Sequence, residues 1–400
     1  MLVAAIPRHV IDAAVAGNGV GAKRCDGKLP AHVRAYLTMA LCLFSDDDYT
    51  EVARKVTGSL AEWGCWNADW SPPTASGITQ ARKRLGSTVM ADIFEGVAQP
   101  VATSFTRGAR LRGWRVLAID GFDVDLPDTP GNAEEFGYAG SGANRSAFPK
   151  ARVLALSECG THAFLTAATG PYSVGEKTLA DRLYPRLLPD ELLTADRNFS
   201  SFTAWGRAAA TGAALLWRAP TGLNLPVVQI LPDGTYLSVL VNPTIRGLRR
   251  QRIIAAARAG EQADPEGTHL VRVIEYDVPD RDGNGTGELI VLLSTITDPA
   301  DASADELAAT YHQRWEQETA NDQLKTHLRG PGKILRSRLP DLVYQEIWAW
   351  LTVHYAISVL ITTAAEAADL DPDRISYTQT LRLIRRTATG TAAFPPSPLD

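Results

Sequence analysis

Four cysteines in 400 residues are too few for a disulfide framework. Cys25, Cys42, Cys65 and Cys159 form no Cys-x2-Cys pair, so a structural zinc site is not expected either. Their scatter fits a reducing compartment, and the cytoplasm is the expected location. No run of about 18 uncharged apolar residues stands out, so no membrane span is expected. Met1 to Arg8 lack the basic start and long apolar stretch of a secretory signal. An excess of positive charge is missing too: the formal net charge is −5 at pH 7. That excludes a chain coated in basic residues, but it says little about any one face. With 45% hydrophobic residues, the chain is too long for one ordinary core, and two or three domains are expected.

The basic residues that are present cluster. Arg82-Lys83-Arg84 is one group, and Arg107, Arg110, Arg112 and Arg115 are a second. Arg246, Arg249, Arg250 and Arg252 form a third, and Arg382, Arg385 and Arg386 a fourth. Each is either a solvated surface or a track for phosphates.

The segment Tyr311-His312-Gln313-Arg314-Trp315-Glu316-Gln317-Glu318, continuing to Lys325, carries the most chemistry. Read as one helix, it places Tyr311, Arg314, Glu318 and Lys325 within an arc of roughly 60°. A carboxylate flanked by two cations and a phenol is either a solvated charged stripe or a place to hold a divalent metal beside a polyanion. Glu316 lies roughly 160° around from Glu318 and is expected to point away. Asp322, one turn beyond Glu318, is the competing carboxylate.

Two apolar runs upstream end in aspartate. Arg115 to Gly121 reads as a buried strand closing on Asp120, and Glu191 to Asn198 repeats the arrangement around Asp196. Strand ends followed by loops are where α/β folds place ligands and catalytic groups, although such aspartates also serve as turn or cap residues. Asp123 and Asp125 alternate with Phe122 and Val124, and either could substitute for Asp120 in this reading.

Three carboxylates in the order Asp, Asp, Glu, the last with Tyr, Arg and Lys at this spacing, resemble the bacterial insertion-sequence DDE transposases. The resemblance is to the cut-and-paste subgroup, insertion sequence family four, with a Tyr-x2-Arg-x3-Glu-x6-Lys signature. Ala118-Ile119-Asp120-Gly121 and Ala195-Asp196-Arg197-Asn198-Phe199 match its two aspartate boxes, and the likeness runs from about Leu29 to about Ile361. It implies an α/β fold: a ribonuclease H-like mixed-sheet catalytic core with a β-rich insertion and an N-terminal helical domain. It also implies binding of terminal inverted repeats in double-stranded DNA, cutting at the element ends, and joining of 3′ hydroxyls to target DNA. A homodimer on DNA and a hairpin intermediate belong to the same expectation.

Periodicity divides the chain accordingly. Residues 1–110 read as helical, with Leu29 to Phe44 and Tyr49 to Leu60 as clear segments. A break at Ser71-Pro72-Pro73-Thr74 follows, and Ser76 is a candidate cap for the helix holding Arg82 and Arg84. This module suits either contact with DNA ends or packing. Residues 111–220 form the first part of the core: strands at Trp114 to Val124, Ala151 to Ser157 and His162 to Thr169, then alternating helices and strands to Ala219. Residues 221–296 read as the β-rich insertion, with turns at Pro232-Asp233-Gly234 and Asp282-Gly283-Asn284-Gly285. Residues 297–400 complete the core and add C-terminal helices, including Leu339 to Leu360. The ending Phe394-Pro395-Pro396-Ser397-Pro398-Leu399-Asp400 in place of a longer basic extension suggests a truncated or frame-shifted copy.

The chemistry implied is two-metal phosphodiester hydrolysis, with ions about 3.5–4 Å apart activating the attacking oxygen and stabilising the leaving one. Mg²⁺, for which Mn²⁺ can substitute, favours hard oxygen ligands. Asp120 is assigned as the bridging ligand, with Asp196 and Glu318 each completing one site. Arg314 and Lys325 are assigned to phosphates, and Tyr311 to a phosphate or base. Trp217 is either a core residue or a stacking platform for an extruded base. His312 and His327 read as helix-surface residues. Competing functions are a ribonuclease H-like nuclease without strand transfer, and a silent DNA-binding remnant that inhibits an active copy. A two-carboxylate glycosidase ranks last, because it leaves the Tyr-Arg-Lys face unexplained.

Overall fold

The computed structural model describes residues 2–20, 29–62, 73–261, 267–278 and 287–387. Cys25, Cys65, Ser71, Pro72, the Asp282 turn and the tail from Phe394 lie outside these ranges. Six helices lead: α1 (Leu2–Ala5), α2 (Arg8–Gly17), α3 (Ala31–Leu43), α4 (Tyr49–Glu62), α5 (Ala75–Leu85) and α6 (Ser87–Val97). Then come β1 (Arg110–Leu111), β2 (Trp114–Asp125), α7 (Pro130–Phe136), β3 (Lys150–Glu158), β4 (Phe164–Pro171) and α8 (Glu176–Leu183). The chain continues with β5 (Glu191–Ala195), α9 (Phe202–Ala209), β6 (Ala214–Arg218), β7 (Gln229–Ile230), β8 (Tyr236–Val241), α10 (Gly247–Arg258), β9 (Thr268–Val278) and β10 (Glu288–Ser294). Helices α11 (Ala304–His312) and α12 (Trp315–Asp322), a π-helical turn (Gln323–Leu328), α13 (Pro340–Ala367) and α14 (Tyr377–Thr387) follow.

Every described strand belongs to one sheet, ordered β4-β3-β2-β5-β6-β10-β9-β8-β7, with β1 beside β2. Strands β2, β3 and β4 form an antiparallel meander, while β5 is parallel to β2 and β6 is parallel to β5. Parallel pairing needs crossovers, and helices α8 and α9 stand in the segments that make them. Alternate residues of each strand face opposite ways. Leu117, Ile119, Leu193, Ala195, Leu215 and Trp217 join the core containing residues of α8 and α9. Val116, Ala118, Leu192, Ala214 and Leu216 pack with Leu307 and Tyr311 of α11.

The interval between the second aspartate and the glutamate is β-rich, as expected, yet it builds no separate sheet. Strand β10 pairs with β6, so β7 to β10 extend the core sheet sideways. The helical part is likewise joined to the rest. Helix α13 shares one apolar cluster with α2, α3, α5 and α6, together with Phe122 and Val124 of β2. Contrary to the expectation of no such run, that helix is long and apolar enough to cross a membrane by length and composition. In the fold, 78% of its apolar window is buried against protein.

Two details differ from the sequence reading. Helix α5 is capped by Thr74, whose hydroxyl accepts from the Gly77 amide at 3.2 Å, whereas Ser76 lies inside the helix. Arg82 belongs to no surface patch: it is 1% exposed. Its guanidinium donates to Gln345 (2.8 Å), the Tyr49 hydroxyl (2.8 Å), Ser337 (3.1 Å) and the Leu342 carbonyl (3.2 Å). The amphipathic spacing that exposes Lys83 and Arg84 turns Arg82 inward against α13.

Candidate active site

Strand register brings the two aspartates together. Ala118 lies opposite Thr194 in the parallel pair of β2 and β5. Carried two residues further, the same register sets Asp120 beside Asp196, just past the end of β5. Ala195 lies opposite Trp217 in the next pair, which sets Arg218 beside Asp196. Parallel neighbours point the same way, so the three share the face covered by α11. Asp196 sits in an Asx turn, its Oδ1 accepting from the Asn198 amide at 2.8 Å.

Asp120 is half-buried and sparsely compensated. Its Oδ2 accepts from Asn321 Nδ2 of α12 at 3.0 Å. Burial pushes its carboxyl up to about 6; the Gly121 amide and Arg314 pull it down, and Glu176 and Asp196 push it further up. Asp123 and Asp125, the two alternatives on β2, point to the other face and are paired. Asp123 meets Arg152 at 3.0 Å, and Asp125 meets Lys150 at 2.6 Å. Their charges are already neutralised, which separates them from Asp120.

Gly121 has a steric reason. A Cβ there would lie 2.9 Å from Glu176 Oε1 and 3.2 Å from its Cδ. The absent side chain lets Glu176, the first residue of α8, lie directly against β2 on the face opposite Asp120, with Arg152, Asp123 and Asp196 as charged neighbours. Asn198 Nδ2 donates to Glu176 Oε2 at 2.8 Å. Burial raises the Glu176 carboxyl; Arg152 opposes this, and Asp123 and Asp196 add to it. The motif reading passed over Glu176, because an acid in a first helical turn looks like ordinary dipole compensation.

The signature residues do not lie on one helix. Helix α11 ends at His312 with Tyr311, Arg314 links it to α12, Glu318 lies on α12, and Lys325 lies in the π-helical turn. A π turn accommodates an extra residue, so the assumed 100° per residue fails before Lys325. Lys325 Nζ nevertheless stands 5.8 Å from the centre of the Phe122 ring, two residues beyond Asp120 on the same face of β2. Tyr311 is 5% exposed, its phenol raised by burial, with Arg314, Arg218 and Asp196 as charged neighbours. Burial works against the charge on Arg314, but Tyr311, Glu318 and Asp196 outweigh it and hold the guanidinium above its ordinary pKa.

Glu318 is held by Arg314 Nη2 at 3.2 Å. Among the described residues, no group of three acidic, histidine or cysteine side chains is already gathered as a metal site. Glu316 turns away, as expected, and accepts from the Gly160 amide. Burial pushes its carboxyl up to about 8, the Gly160 amide opposes this, and Asp373 and Asp371 reinforce it. Asp322 is occupied locally, accepting from Thr326 at 2.5 Å and facing His327 at 3.4 Å. Trp217 is fully buried against Trp205 and Tyr184, which makes it core and not a stacking platform. The donor chemistry fits a hard divalent cation: Asp120 and Asp196 stand in register, with acid in excess around them and Glu318 one ion pair away.

Comparison with known proteins agrees with this architecture. The family described as insertion element 4 transposase N-terminal matches residues 1–95, and the transposase DDE domain family matches residues 112–355. Two Escherichia coli K12 proteins are similar. The transposase InsG for insertion sequence element IS4 is 24% identical over 322 residues, covering 78% of this chain and 66% of that protein. The putative transposase InsZ is 29% identical over 151 residues, covering 38% and 50%. The chain therefore spans from half to about two thirds of these relatives' lengths. The piggyBac transposase synaptic complex with hairpin DNA aligns over 99% of this chain and 81% of its own, with a TM-score of 0.51 and 10% identity. This last likeness concerns the fold, a ribonuclease H-like core.

Proposed function

The chain belongs to the DDE transposases of insertion sequences, and from that premise we propose that it is a cut-and-paste DNA transposase. It binds terminal inverted repeats, hydrolyses DNA at the element ends, and joins the 3′ hydroxyls to target DNA, working as a homodimer in the cytoplasm. The observation that supports this reading is the parallel register of β2 and β5, which, continued two residues past Ala118 and Thr194, brings Asp120 and Asp196 side by side with Arg314 among their charged neighbours.

Asp120, Asp196 and Glu318 would hold two Mg²⁺ ions, or Mn²⁺ in their place. Bound there, the ions supply an activated water and neutralise charge on the leaving oxygen. The chain's own residues prepare the site. Asn321 orients the Asp120 carboxylate through its hydrogen bond. Arg314 pairs with Glu318 in the DNA-free protein. A scissile phosphate accepts from Arg314 in turn, which frees Glu318 to face the aspartates. Lys325, without an ion-pair partner among the described residues, contacts a neighbouring phosphate. Tyr311, fixed by burial, presents its hydroxyl beside Arg314.

Single-turnover cleavage of a duplex carrying the repeats that flank the reading frame tests the proposal. Mg²⁺- or Mn²⁺-dependent cutting at the repeat boundary, lost in Asp196→Ala, is expected. Specific binding by a folded protein without cutting would replace this reading with that of a silent, end-binding remnant. Cutting without end specificity would replace it with a nuclease.

A further inference from the structure

The four basic clusters have different fates in the fold. Arg82 is spent on α13. Arg115 pairs with buried Glu158, Arg112 binds Glu306 at 2.9 Å, and Arg110 donates to the Gly113 carbonyl at 3.2 Å. Arg385 donates to the Leu43 carbonyl at 2.7 Å and to that of Leu328 at 3.3 Å. These side chains hold backbone and carboxylates in place. The cluster on α10 does not. Arg246, Arg249, Arg250 and Arg252 have no hydrogen-bond or ion-pair partner among the described residues. Arg246, Arg249 and Arg252 are exposed and Arg250 partly so. Between Asn242 and Gly260 there are five arginines and no acid.

Helix α10 is fastened to the sheet from one side only. Ile253, Ile254 and Ala257 pack on Val239, Val241 and Ile245 at β8, and no residue of α10 is fully buried. Strand β8 stands five positions from β2 in the sheet. At a strand spacing of about 4.8 Å, that is about 24 Å from Asp120, or roughly 7 base pairs of duplex. Because β8 runs opposite to β2, α10 also begins toward the other end of the sheet.

We propose that α10 is a phosphate track that grips duplex DNA away from the bond being cut. The inference rests on the transposase reading and extends it to a surface outside the chemical site. Four uncompensated guanidiniums on a protruding helix fit the regular negative charge of a DNA backbone and carry no base specificity. An acidic protein surface, or a second copy of this chain, would not present such a repeating array.

The test is the salt dependence of binding to an arbitrary-sequence duplex of about 40 base pairs, read by fluorescence anisotropy. The parent is compared with a variant carrying Arg246→Ala, Arg249→Ala, Arg250→Ala and Arg252→Ala. Each phosphate contact contributes about 0.9 to the slope of log affinity against log salt. The variant should lose about 2 to 4 from that slope and bind at least about tenfold more weakly near 0.1 M salt. Replacing the same residues with lysine should keep the slope. Two double variants, Arg246/Arg249 and Arg250/Arg252, should each lose about 1 to 2, and they carry the test if the fourfold variant does not fold. An unchanged slope with a binding-competent parent overturns the track alone. An unchanged slope with an altered oligomeric state by light scattering assigns α10 to contact between copies and also overturns it. A parent that binds no duplex removes the transposase reading together with the track.

Discussion

Two buried polar regions of this protein treat charge in opposite ways. Around the start of α13, Arg82, Gln345 and Glu346 are each held by several hydrogen bonds. Arg82 donates to four acceptors, Gln345 returns hydrogen bonds to the Arg82 and Gly86 carbonyls, and Glu346 accepts from Arg336 and Ser337. At Asp120 within β2 and Asp196 just past β5 the charge is less fully answered: Asp120 has Asp196 and Glu176 among its charged neighbours, and Arg314 leaves a buried Nε without a partner. A satisfied network fixes one geometry and rigidifies the fold. An unsatisfied one stores a tendency to bind what would neutralise it. The difference separates groups that build the fold from groups kept for a ligand.

The sharpest way to break this comparison is to remove one charge from each region. Asp120→Asn should reduce single-turnover cutting by about a thousandfold or more, the scale of losing a group that acts on the reacting phosphate. The same change should raise the melting temperature of the metal-free protein at pH 7.5. The sign follows from linkage. A carboxyl raised to about 6 contributes stability at low pH that is lost as the pH rises from its ordinary value through 6, and the amide escapes that loss. A lower melting temperature would mean that Asp120 is a structural anchor.

Arg82→Met should do the reverse. Breaking a buried charged network by removing one member costs about 3–5 kcal/mol, measured by denaturant unfolding, with cutting per folded molecule intact. A loss below about 1 kcal/mol would show that the network is dispensable.

Glu316 offers a finer test within reach of the site. Its carboxyl, raised to about 8, faces the Gly160 amide, His162, Asp371 and Asp373. Stability associated with its bound proton is present below the ordinary glutamate range and lost as pH rises through 8. Glu316→Gln, which keeps an acceptor for Gly160, should match the parent near pH 4 and gain about 4 kcal/mol by pH 8. Parallel melting curves across that range would show that Glu316 is not held neutral.

The smallest effect is expected from Gly121→Ala. A Cβ would displace the flexible end of Glu176, and cutting should fall about tenfold with little change in stability. Glu176→Gln should reproduce the loss. If Gly121→Ala cuts normally, Glu176 is a bystander to the chemistry.

Much of this arrangement was legible in the chain. Alternation and turn residues located the strands, and the expected alternation of helices and strands up to Ala219 includes α9, which Ser201 caps by accepting from the Ala204 amide at 3.1 Å. The aspartate-ended runs and the Tyr-Arg-Glu-Lys spacing pointed to the residues now seen around one end of the sheet. The π-helical turn was not legible, since a period of 3.6 assumes its own continuation. The inward turn of Arg82 was hidden for another reason: three adjacent basic residues look alike until a partner helix arrives from residues 340–367.

Local sequence thus determined which segments are strands and helices, because side-chain period and backbone propensity act within a few residues. It also located Asp196 just past a strand, whereas Asp120, read as closing one, lies in the middle of β2, which runs on to Asp125. Only the tertiary structure decided which carboxylates are free. Asp123 and Asp125 are neutralised by Arg152 and Lys150 across a strand pair, whereas Asp120 meets Asp196 through a parallel register set by residues 76 positions apart. The same holds for the arginines: each of the other three clusters commits at least one member to an internal partner, whereas none of the α10 arginines Arg246, Arg249, Arg250 and Arg252 has one among the described residues. Pairing of charges is settled by long-range contacts, and those exist only once the sheet and its covering helices have closed on one another.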